Sequence, residues 1–168
     1  MFSQINGLPV HALAVHAAVV LVPLAALLGV LFAVPRTRAW SRLPLPLVAL
    51  GALGSVFVAR QSGQSLKETL GLDRGGSKVA ALVAEHQSRA NLLMILVVIF
   101  AVIAVAAFVL SRDLAQFNGP IAMAVSALLV LGAIVVGFQT YRVGDIGSRA
   151  VWNPEGQVDY GSSSDGDD

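Results

Sequence analysis

The run ANLLMILVVIFAVIAVAAFVLS, residues 90–111, decides the class of this fold. It contains no Asp, Glu, Lys or Arg, and about 20 mainly apolar residues suffice to cross a bilayer core as helix. Three other stretches lack the same four residue types: Met1–Pro35, Leu43–Ala59 and Leu114–Tyr141. A segment in lipid must satisfy its backbone hydrogen bonds internally, so each reads as a helix. The sequence predicts an all-α integral membrane four-helix bundle.

Composition agrees. Of 168 residues 12% are charged and 56% hydrophobic, with mean hydropathy +0.76, whereas soluble domains are about a quarter charged. Cysteine is absent, which excludes disulfides, Cys-ligated zinc, iron–sulfur clusters and thiol nucleophiles. The net charge of +1 hides an asymmetry: through Trp152 the chain carries 11 basic and 5 acidic residues, and the tail 153–168 holds five acids and no base. A basic excess of this size on a membrane protein belongs at lipid head groups, so no nucleic-acid partner is implied. Arg outnumbers Lys nine to two, in keeping with GC-rich bacterial coding.

Along the chain, the first span starts near Pro9 after the turn-forming Asn6-Gly7, and Pro23 should kink it before it ends at Pro35. It lacks a positive n-region and exceeds a signal-peptide core, so it reads as a retained span. The link Arg36–Arg42 is short and basic. The second span begins around Pro44 and carries Gly51, Gly54 and Ser55, small residues that permit close helix approach. It reaches Arg60 and continues toward Leu70, where Ser65 and Glu68 form a capping-box pattern and Gly71 a stop. The third span is predicted from an N-cap at Ser77 to Leu110. The fourth restarts at Asn118-Gly119-Pro120 and runs to about Tyr141. A short interfacial helix is expected over Asp145–Trp152, and a disordered acidic tail over 153–168. The domain division is thus a transmembrane unit, 1–152, and the tail.

Four spans bring both termini and the link between the second and third spans to one end. That end collects His11, His16, Arg60, Glu85, His86, Arg89, Gln139, Arg142 and Asp145. The opposite end has two short links whose charged residues are Arg36, Arg38, Arg42, Arg112 and Asp113. Function is expected at the terminus-bearing end. A faint internal repeat also places a His early in both odd spans, and an aromatic, an Arg and a Gly late in both even ones (Phe57, Arg60, Gly63; Tyr141, Arg142, Gly144).

Leu8-Pro9-Val10-His11 with His16, the Arg60–Gly63 helix end, Glu85-His86, and Arg142-Val143-Gly144-Asp145 with Gly147 and Val151-Trp152 resemble the bacterial membrane family called domain of unknown function 2231. The likeness extends from about Ile5 to Trp152. It implies a four-helix membrane module, and some members are joined to Rieske-type or c-type cytochrome domains, company that suggests electron transfer. The family's pattern has a His where this chain has Asp145. No Rieske or cytochrome c motif occurs here, since both need cysteine.

His16 is the sharpest candidate ligand, lying roughly 10 Å along the helix from Pro9, and intramembrane ionisable groups are functional by default. His11 lies about 140° around the helix from it, so the two cannot aim at one ion. His86 falls on the apolar stripe of the third span. The leading reading is structural histidines bonded to a carbonyl or to Gln139; the alternative is His16 with His86 holding a haem b or a metal ion. Arg60, Arg89 and Arg142 are candidate donors to haem propionates, or else reach lipid phosphates. No carboxylate lies mid-span, which argues against a proton pump, and no catalytic or phosphate-loop motif appears.

Two functions remain in view. The first is a non-enzymatic inner-membrane module, an accessory or docking subunit acting through the terminus-bearing end. The second is a small b-type cytochrome relaying electrons through a haem between the first and third spans. The partners expected are the bilayer and a redox or other membrane protein, with a homo-oligomer left open. The crowding of Arg36, Arg38 and Arg42 beside the first span predicts a bacterial cytoplasmic-membrane protein with both termini outside.

Overall fold

The computed structural model describes residues 4–5, 8–72 and 76–157. A two-residue antiparallel ribbon, β1 (Gln4–Ile5) with β2 (Leu8–Pro9), leads into α1 (Val10–Ala33). Then follow α2 (Pro35–Ser41), α3 (Pro44–Thr69), α4 (Lys78–Leu110) and α5 (Gly119–Trp152). All but α2 are long and apolar enough to span a membrane. Large apolar side chains point outward along them, Val102 at 64% exposure and Ile134 at 62%. On a soluble protein that would be an aggregation surface; here it is the lipid face.

Around the bundle the order is α1, α3, α4, α5, so that α1 and α4 face each other across the diagonal. The core is built from small residues and a few rings. Phe100 of α4 reaches the centre between two glycines. A Cβ on Gly29 of α1 would stand 2.9 Å from its Cζ, and one on Gly132 of α5 would stand 2.8 Å from its Cδ2. Without a solvent-driven force between helices, such close fits carry the association. The small residues expected to do this in α3 do not: Gly54 has nothing within 4 Å, and Gly51 meets only Leu21, at 3.7 Å. Both lie on an exposed face of α3, a fact that periodicity alone does not give.

Several boundaries agree with the sequence reading. Ser77 caps α4 by accepting from Ala80 N–H at 3.2 Å, and Gly71 ends the α3 segment at φ +66°. Three differ. Arg36–Arg42, expected as a plain link, mostly forms α2, because Pro35 is well suited to a first helical turn. Ser65 is not a cap; it lies inside α3 and donates to Gln61. The break expected after Tyr141 does not occur, and Asp145–Trp152 is the end of one continuous α5, its Ser148 and Arg149 bonded back to Asp145. Residues 153–157 turn away from this helix, and the rest of the acidic tail lies outside the described residues.

At the α2 end, Pro35 stops α1 and leaves its last carbonyls without helical donors, a costly state near lipid. The next turn supplies them. Arg38 Nε donates to Phe32 O at 3.0 Å, and Arg38 Nη2 to Ala33 O at 3.2 Å and Ser126 Oγ at 3.3 Å. Thr37 Oγ1 donates to Leu31 O. The Arg38 guanidinium also lies 5.6 Å from the Phe32 ring and 5.1 Å from that of Phe117, which meet edge to face at 5.8 Å.

Candidate functional site

At the terminus-bearing end two histidines occupy equivalent positions in the two hairpins. His11 of α1 is bonded through Nδ1 to Ala59 O of α3 at 2.9 Å. His86 of α4 is bonded through Nδ1 to Val143 O of α5 at 3.0 Å. A carbonyl only accepts, so Nδ1 carries a proton in both rings, and the neutral form of each imidazole has its lone pair on Nε2. One helical turn beyond each carbonyl stands a glycine that makes room for the ring. A Cβ on Gly63 would lie 2.9 Å from His11 Cε1, and a Cβ on Gly147 would lie 3.1 Å from His86 Cε1. The unit His, carbonyl, glycine four residues on thus occurs twice.

The faint repeat in the sequence lies at this end, but its register differs: with Ala59 equivalent to Val143, Phe57 matches Tyr141, Gly63 matches Gly147 and not Gly144, and Arg60 matches Gly144 and not Arg142. Gly63 and Gly147 were missed as ring cradles because a glycine's neighbour across a helix pair leaves no mark in the local sequence.

His16 is placed differently from the expectation. Its ring lies on the exposed side of α1, and Nδ1 bonds to Ala12 O of its own helix at 2.6 Å. In the structure His16 Nδ1 is thus engaged on its own helix, while His86 Nδ1 is engaged by α5. His11, by contrast, is half-buried, as His86 is. The separation of about 140° around the helix was right; which of the two faces inward depends on how α1 is rotated against α3 and α5.

The arginines of this end make contacts of their own. Arg60 Nε donates to Asn91 Oδ1 at 2.6 Å, joining α3 to α4. Arg89 lies 3.6 Å from Glu85, and its backbone carbonyl accepts from the buried Gln139 at 2.9 Å. Gln139, weighed as a partner for an imidazole, is thereby committed elsewhere. Arg142 lies 5.7 Å over the Phe138 ring. It helps to line an open cleft of about 290 Å³ with Leu82, Glu85, Asp145, Ile146 and Arg149. Arg149 and Asp145 form an ion pair there at 3.0 Å.

For a metal ion the donor set is thin. Among the described residues no three His, Asp or Glu side chains gather, so a metal ion held by this chain would rest on the two imidazoles and non-protein ligands. For haem, the donor type is present: α1 and α4 each contribute an imidazole bonded through Nδ1 to a backbone carbonyl, a contact that iron-ligating histidines commonly make.

A family model described as a predicted membrane protein, DUF2231, matches residues 7–159. No curated protein and no solved structure matches the chain.

Proposed function

We propose a function from one premise: this chain belongs to the DUF2231 family of predicted membrane proteins. Its four apolar helices make it a multi-pass membrane protein. On our reading it is a non-enzymatic module of the bacterial cytoplasmic membrane with both termini outside, an accessory or docking subunit that meets its partner through the terminus-bearing end.

The observation that carries this reading is the length of α4 and α5. They have 33 and 34 residues, or roughly 50 Å each against a hydrocarbon core of about 30 Å. The excess lies at one end, where residues 78–89 of α4 and 142–152 of α5 are polar turns beyond the charge-free runs. They remain paired there and carry the cleft of Glu85, Arg142, Asp145 and Arg149. With residues 60–69 of α3 bonded alongside α4 through Arg60–Asn91 and Lys67–Gln87, this helical stub with both signs of charge suits contact with a protein surface outside the lipid.

The test is a photo-crosslinking residue at Leu82, in that cleft, compared with one at Trp40 on α2, in intact membranes. A discrete adduct from Leu82 and none from Trp40 is expected. The same adducts from both positions, or none from either, would sink the docking role. Orientation is tested separately. The chain lacks cysteine, so Glu155→Cys provides a single thiol, and an impermeant reagent should label it on intact spheroplasts. Protection there would reverse the assignment.

A second reading, electron relay, is favoured by the paired imidazoles. His11 and His86 would be the axial ligands, and Arg60, Arg89 and Arg142 candidate donors for propionates. Haem bound there would supply a one-electron couple. The absorbance of protein purified from its own membranes decides. A Soret band lost in His11→Ala and in His86→Ala but kept in His16→Ala supports the relay. Protein that stays colourless after haem is added overturns it.

A further inference from the structure

The basic residues at the two ends find different partners. At the terminus-bearing end Arg60 meets Asn91, Lys78 meets Glu155 at 2.9 Å, Arg89 meets Glu85 and Arg149 meets Asp145. At the α2 end Arg38 is used inside the protein, but Arg36, Arg42 and Arg112 have no hydrogen bond or ion pair from their side chains among the described residues. The one acid of the two links at that end, Asp113, is engaged by Ala115 N–H at 3.0 Å and the Gln116 amide at 2.7 Å.

Arg42 makes the imbalance sharper. Its guanidinium lies 5.0 Å over the Phe108 ring, in the last turn of α4, and its Nε is buried with no partner. A ring face offsets part of the cost of drawing a cation out of water, but it does not satisfy the N–H donors. Trp40 and Leu43 flank this residue at 55% and 56% exposure. Indole, leucine and guanidinium at one level are the composition of a membrane interface, where the apolar part enters the acyl boundary and the cation stays among head groups.

We propose that the α2 end is a binding surface for anionic phospholipid, with lipid phosphates against Arg36, Arg42 and Arg112 and the acyl boundary against Trp40 and Leu43. At the other end acids pair with Lys78, Arg89 and Arg149, amides meet Arg60 and Lys67, and Arg142 alone among the described basic residues there has only a ring. At the α2 end three arginines lack such partners, and the balance comes from the leaflet. A zwitterionic lipid also offers a phosphate, but its own ammonium cancels the charge, so the surface discriminates by net charge. The apolar flank selects a lipid over free phosphate. None of this depends on the docking or relay roles, nor on which side of the membrane the termini occupy.

The two tryptophans, Trp40 and Trp152, report on opposite ends. In Trp152→Phe protein, reconstituted in mixed bilayers, brominated phosphatidylglycerol should quench Trp40 as if enriched roughly fivefold over brominated phosphatidylcholine. In Trp40→Phe protein, Trp152, at the tip of the projecting α5, should be quenched little by either lipid and show no such preference. Arg36→Gln with Arg112→Gln removes two cations that touch nothing polar in the structure, so the fold should persist and most of the enrichment should go. Arg42→Gln should remove the remainder. Salt above about 0.5 M should suppress the preference in the parent protein. Equal quenching of Trp40 by both lipids overturns the proposal. So does the same preference at Trp152, or enrichment that survives the Arg36→Gln/Arg112→Gln change.

Discussion

The two ends of this bundle use arginine in opposite ways. At the α2 end Arg38 is part of the fold: it closes the carbonyls that Pro35 leaves open and lies against Phe32 and Phe117. At the terminus-bearing end Arg60, Arg89 and Arg149 pair with an amide or a carboxylate, Arg142 lies over a ring, and histidines hold the helices together instead. A charge near lipid is stable when its donors are met within the protein, whereas a charge on projecting turns has water to fall back on. Polar residues at a helix end therefore indicate neither structure nor function until their partners are known.

The largest effect should come from Arg38→Ala. It removes three hydrogen bonds and two ring contacts, and re-exposes α1 carbonyls, for a loss of about 3 kcal/mol. Thermal unfolding in detergent should show a clear drop in midpoint, and Arg38→Lys should recover less than half, since an ammonium cannot reproduce the fork. If Arg38→Ala proves as mild as a surface change, the contrast between the ends fails.

Next in size are the two histidine clamps. Gly63→Ala brings a methyl to 2.9 Å from the His11 ring and Gly147→Ala brings one to 3.1 Å from His86. Pushing each ring off its carbonyl should cost about 2 and about 1 kcal/mol respectively. His16→Ala, on the exposed side of α1, should stay within about 0.5 kcal/mol of the parent. The same melting measurement sharpens the comparison within this end: a His16→Ala loss larger than that of His11→Ala would mean that α1 is rotated from the position described.

The smallest effect belongs to the exposed pair. Asp145→Asn breaks an i,i+4 bridge to Arg149, whose side chain is 64% exposed, and should change the midpoint by no more than about 0.3 kcal/mol allows. A large loss would show that the projecting turns of α4 and α5 are held by charge after all.

The sequence alone determined the spans and the polar end. Charge-free runs can be read one residue at a time, because the cost of a charge in lipid is paid locally. Ser77, Gly71 and Asn118-Gly119-Pro120 mark helix ends by local rules as well. The helical character of 36–41 and the unbroken run of α5 to Trp152 were harder to read, since polar turns that leave the bilayer resemble a link or a separate helix by composition. Only the tertiary structure decided which histidine faces inward and which glycines matter. Those depend on how each helix is rotated about its axis. The rotation is fixed by contacts between residues far apart in the chain, Phe100 with Gly29 and Gly132, His11 with Gly63, His86 with Gly147.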